Sequence, residues 1–134
     1  MSLAELRGDV VILACAISAG IHGTLVPGHF DEGIGAGLGF VAATVALAGL
    51  GFWLTWRPAS ASALAAAVVT LAGLLGSYAL AITTGLPVLH PDPEPVDNLA
   101  VATKAIEALG LLAASSVLWQ PRAMTLPQPR GTLT

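Results

Sequence analysis

Three histidines and eight acidic residues carry most of the chemistry in this 134-residue chain, and they are unevenly placed. His22 and His29 stand seven residues apart, with Asp31 and Glu32 close behind, and His90 is followed by Asp92, Glu94 and Asp97. Imidazole suits zinc, copper, iron and nickel, and carboxylates add hard oxygen ligands. The residue types therefore allow a copper or zinc site built from His22, His29, Glu32 and His90. Against it, the His22-to-His29 spacing matches no established metal motif, and the chain has neither HExxH nor a cysteine pair. The plain alternative is that acidic connections simply stay hydrated. A haem held by His22 would lack an evident second axial ligand in the apolar segments.

A second group is Lys104 and Glu107, three apart inside an apolar stretch, where they share one helix face. Ionisable groups at membrane depth are costly and usually face a bundle interior or a wet cavity. They can form a structural ion pair, Lys104 can snorkel upward, or Glu107 and His22 can form a proton, ion or metal site. Ser18, Ser115 and Ser116 have no His–Asp arrangement that would make a nucleophile. The run Gly33 to Gly39 lacks the preceding strand and the GxGxxG spacing of a dinucleotide loop. No catalytic constellation is present, so the chain is expected not to be an enzyme.

The elements that must position these residues follow from composition. Hydrophobic residues make up 55% of the chain and charged residues 10%, with a mean hydropathy of +0.82. A soluble domain carries about 25% charged residues. Five basic and eight acidic side chains cannot cover a water-facing surface of this size, so the apolar residues are expected to face lipid. The net charge of −3 argues against nucleic acid, which calls for a basic footprint. The single cysteine, Cys15, excludes an internal disulfide. Arg7 and the run Val10 to Ala19 could be read as a signal peptide, and Ile12 to Cys15 as a lipoprotein box. Too few apolar residues precede Cys15 for that, so the segment reads better as a span that stays.

A bilayer core needs about 20 mostly apolar residues in a helix, and four segments qualify: 10–26, closed by Pro27; 34–56, closed by Arg57-Pro58; 61–86, closed by Pro87; and 98–119, closed by Pro121. Short connections make this a single all-α domain over 1–121, a four-helix up-down-up-down bundle. Residues 122–134 are expected to form a flexible cytoplasmic tail. Arg7, Arg57, Arg122 and Arg130 lie at the two termini and the middle connection, which places those parts in the cytoplasm. Trp53, Trp56 and Trp119 then fall at the cytoplasmic interface. His29, His90 and five of the eight acids fall outside. Small residues four apart, Gly33/Gly37 and Gly35/Gly39, permit close helix packing in lipid. At 1.5 Å rise per residue, His22 lies roughly 7 Å, Lys104 roughly 8 Å, Tyr78 roughly 12 Å and Glu107 roughly 13 Å below the outer boundary. Thr44 enters at a comparable depth. One polar layer in the outer half of the bundle is the expectation.

The stretches Ala19-Gly20-Ile21-His22, Pro27-Gly28-His29-Phe30-Asp31-Glu32, Thr83-Thr84-Gly85-Leu86-Pro87 and Glu94-Pro95-Val96-Asp97, with Glu107, resemble those of a group of small four-span membrane proteins common in actinobacteria. The resemblance covers nearly the whole chain in layout and about twenty positions in detail. It implies a bundle in a bacterial plasma membrane and an inward-facing acid on the fourth helix, and brings no particular activity. It singles out His22, His29, Glu32, Glu94, Asp97 and Glu107. Ile82 stands where the group usually has Arg, which removes one partner for Glu107; Lys104 can supply that charge from the next helix.

These readings converge on a small non-catalytic membrane subunit. It would pack against a larger membrane complex or against its own copies, with an outward-facing His/carboxylate site for copper or zinc. The competing expectations are an oligomeric ion, proton or small-solute transporter using Glu107, Lys104 and His22, and a membrane haem protein.

Overall fold

The computed structural model describes residues 2–86 and 92–119. The described chain is all helical: α1 (Leu3–Glu32), α2 (Ile34–Trp56), α3 (Ala61–Thr83) and α4 (Asn98–Leu118). Each is long and apolar enough to cross a membrane, as in a multi-pass membrane protein. Their starts are written in local chemistry. Ser2 and Glu5 form a capping box on α1, Ser60 caps α3, and Asp97 accepts from the Ala100 amide at 2.6 Å to cap α4. Such side chains satisfy amide donors that have no partner inside the helix.

Two boundaries differ from the sequence expectation. The first helix does not close at Pro27 but runs through it to Glu32. Proline removes one amide donor and crowds the carbonyl four residues back. In an apolar setting that loss is smaller than exposing the backbone polar groups of the following turn. The helix closes with the Gly33 amide donating to His29 O at 3.0 Å. His29, Asp31 and Glu32 therefore sit on the last turns of α1, not in a connection, and Gly33 alone links α1 to α2. The third helix stops at Thr83, three residues before Leu86. Gly85 takes φ 71°, the left-handed conformation that ends helices at little cost for glycine. Pro87, Pro121 and the 122–134 tail lie outside the described residues.

The exterior is apolar as well as most of the core, unlike in a water-soluble bundle. Large apolar side chains face outward, among them Val69 at 72% and Leu112 at 68% exposure, while Glu107 and Ser18 are fully buried. Exposed large apolar side chains on all four helices fit a lipid environment. One end of the bundle is tightly filled by Val11 and Cys15 of α1, Leu47 and Leu54 of α2, and Leu64 and Leu71 of α3, with Ala114 of α4. Glycine permits the closest approach between α1 and α4: a Cβ on Gly110 would lie 2.6 Å from the Ala14 Cβ. Of the glycines expected at helix contacts, Gly37 abuts the Phe30 ring. Gly39 lines a cavity at the other end of the bundle, and Gly35 is half-buried.

Candidate functional site

Away from the filled end, the interior turns polar. Glu107 on α4 is the hub. Its Oε1 accepts from the Ser18 hydroxyl at 2.7 Å, and its Oε2 accepts from Lys104 Nζ at 2.7 Å. His22 Nε2 lies 3.9 Å from the same Oε1. Ser18 and His22 are four apart on α1, hence on one face, and that face meets α4. The Lys104–Glu107 pair is the expected i,i+3 contact. A buried carboxylate is tolerated only when paired and hydrogen-bonded, and Glu107 has both.

The tautomer of His22 follows from its partners. Nδ1 lies 2.9 Å from the Ser18 carbonyl, which can only accept. Nδ1 therefore carries a hydrogen, and in the neutral ring Nε2 carries the lone pair. The Ser18 hydroxyl is 3.3 Å from Nδ1 but spends its hydrogen on Glu107.

Beside this cluster lies a cavity of about 250 Å³. All four helices contribute: His22 and Leu25 from α1, Phe40 and Ala43 from α2, Leu74 and Tyr78 from α3, Leu99 and Lys104 from α4. Glu94 and Asp97, just before and at the start of α4, complete the lining. Lys104 Nζ stands 5.4 Å from the Tyr78 ring centroid. That ring face is favourable for a cation. The Tyr78 hydroxyl is buried and has no hydrogen-bond partner among the described residues.

Four of the residues expected in one layer, His22, Tyr78, Lys104 and Glu107, are therefore brought together. Thr44 is not part of the group: its hydroxyl donates to Phe40 O, and its methyl faces Gly23 of α1. Ser18 is the member that sequence reasoning passed over. The available signal was its four-residue offset from His22.

The histidine ligand set is less coherent. His29 Nδ1 donates to Leu25 O at 2.9 Å, and its ring stacks on Phe40 with centroids 3.5 Å apart. The same phenyl ring stands 5.2 Å from His22. His29 Nε2 is 3.9 Å from Glu32 Oε2. His90 lies outside the described residues. Among the described residues, no three His, Cys, Asp or Glu side chains converge to hold a metal. No protein-family model, curated protein or solved structure matches the chain significantly.

Proposed function

We propose that the protein is a non-catalytic bacterial plasma-membrane subunit that works by binding, and that its binding site is the cavity beside Glu107. The carrying observation is that ionisable and hydroxyl side chains from three helices meet at one cavity with mostly apolar walls. Membrane proteins rarely keep such groups inside a bundle without use. Small-molecule sites commonly pair apolar walls with a few converging polar groups.

In this reading the helices alternate in direction across the bilayer, with both termini inside and the cavity towards the outer face. Arg7 and Arg57 flank the filled end, and exposed Trp53, Trp56 and Trp119 sit near that end, as cytoplasmic interface residues do. The chain would act beside other membrane chains or further copies of itself.

Native mass spectrometry of gently extracted protein tests the reading. The wild type is expected to retain a small molecule that is lost when Ala43→Leu fills the cavity. Bare chain in both samples overturns it. Stoichiometric copper or zinc, or a haem absorbance, overturns it in favour of a ligand site at the histidines.

A further inference from the structure

The sides of the bundle are not equally closed around the cavity. α1 packs closely on α2 and on α4, and α3 packs on α4, whereas α2 and α3 touch over much less of their length. Both contribute to the tightly filled end, Leu47, Leu50 and Leu54 from α2 and Ala63, Leu64 and Ala67 from α3. Their contributions to the cavity include small side chains: Gly39 and Ala43 from α2, Ser77 and Ala81 from α3.

The end of the bundle beside the cavity is better covered. Gly33 alone joins α1 to α2 there, and His29 stacks on Phe40 with centroids 3.5 Å apart. The Glu94 amide donates to Ala81 O at 3.0 Å, which ties the segment before α4 back onto the end of α3. The α2–α3 side lies within apolar spans. Ser77 is roughly 9 Å inside the Thr83 end of α3, and Ala43 roughly 13 Å inside the Ile34 end of α2. A gap at that depth meets hydrocarbon, and a free ion would have to cross that hydrocarbon to reach it.

The wall chemistry agrees with an apolar occupant. The Ser77 hydroxyl donates to Leu74 O, and the Thr103 hydroxyl to Leu99 O. Each spends its hydrogen on its own helix. The Lys104 ammonium is already matched by Glu107 at 2.7 Å.

We propose that the cavity opens sideways into the bilayer between α2 and α3, and that the acyl chain of a membrane lipid enters it by that route. The assignment rests on the reading of the cavity as the binding site, and names the class of its occupant and the way in. An acyl chain needs no hydrogen bond from the walls and leaves its headgroup at the membrane surface. Its gain over bulk lipid comes from dispersion contacts with the walls.

Ala43 is buried and Val45, on the same helix, is 66% exposed, so the two report the cavity and the exterior separately. The full chain would be placed in nanodiscs of phosphatidylcholine carrying a photoactivatable diazirine at the end of one acyl chain, and insertion sites mapped by mass spectrometry. Insertion is expected at both Ala43 and Val45 in wild type. Ser77→Phe or Gly39→Phe, each narrowing the gap from one side, should abolish it at Ala43 and leave it at Val45. Insertion at Val45 alone in wild type overturns the proposal, as does insertion at Ala43 that survives both variants. In parallel, Ala43→Cys in a Cys15→Ala background would be treated with a membrane-impermeant cationic methanethiosulfonate. Modification by it overturns the bilayer route, whatever the lipid result, while leaving the cavity able to bind a molecule from water. If neither reagent reaches position 43, the reading of the cavity as a binding site falls as well.

Discussion

The Lys104–Glu107 pair allows a test of whether the polar centre exists for stability or for use. Removing one partner of a buried ion pair leaves an uncompensated charge and costs about 3–5 kcal/mol. The two ends are not equivalent: the Glu107 side chain is 0% exposed and the Lys104 side chain 17%. Lys104→Met strands the fully buried carboxylate, so about 5 kcal/mol of destabilisation is expected. Glu107→Met strands an ammonium that is partly exposed and can snorkel, so about 3 kcal/mol is expected. Simple addition would put the double variant about 8 kcal/mol below wild type. Replacing both charges with apolar side chains of similar volume is often neutral or stabilising, so the double variant should instead lie within about 1 kcal/mol of wild type or above it. The assay is reversible unfolding in mixed detergent micelles with rising SDS, followed by fluorescence of the three tryptophans. A double variant as unstable as simple addition predicts would refute the reasoning, and would mean that the pair is held for stability. Recovery of stability would mean that stability does not account for its presence.

Three further outcomes follow from the packing and caps. Gly110→Ala places a methyl 2.6 Å from the Ala14 Cβ and should cost about 1–3 kcal/mol, whereas Gly76→Ala, with nothing within 4 Å, should be neutral or gain up to about 1 kcal/mol; the same SDS titration reads both. Asp97→Ala should cost about 1 kcal/mol by uncapping α4, with Asp97→Asn restoring most of it. Cys15 is 0% exposed, so a membrane-permeant maleimide should leave it unmodified in folded protein and label it promptly in denaturing SDS.

The helices were legible because hydropathy and capping agree. The four apolar runs, Ser60 and Asp97 are visible in the sequence, and the second and fourth helices fall within a residue of the expected spans. The error at Pro27 came from giving proline the weight it has in water, where an unravelled turn is hydrated by solvent. In the site, Lys104 with Glu107 was legible because both lie on one helix, three residues apart. Ser18 was not, because its contact with Glu107 joins residues 89 apart and depends on how α1 rotates about its axis. Gly110 escaped notice for the same reason: a lone glycine in a helix reveals a close approach only once the facing side chain, Ala14, is known. The glycine-rich start of α2 drew attention instead, and its members turn out to serve different ends.

The length of α1 has a mechanical consequence. Its 30 residues span about 45 Å, against a hydrocarbon core of about 30 Å, while α4 with 21 residues spans only about 32 Å. In one bilayer these two cannot both stand upright and match its thickness, so α1 must lean or protrude. The same helix carries Ile21, His22, Leu25 and His29 along one wall of the cavity. The apolar stretch of α1 covers only residues 10–26, about 26 Å, so the excess length falls in its polar ends and carries the turn with His29 and Glu32 beyond the hydrocarbon core.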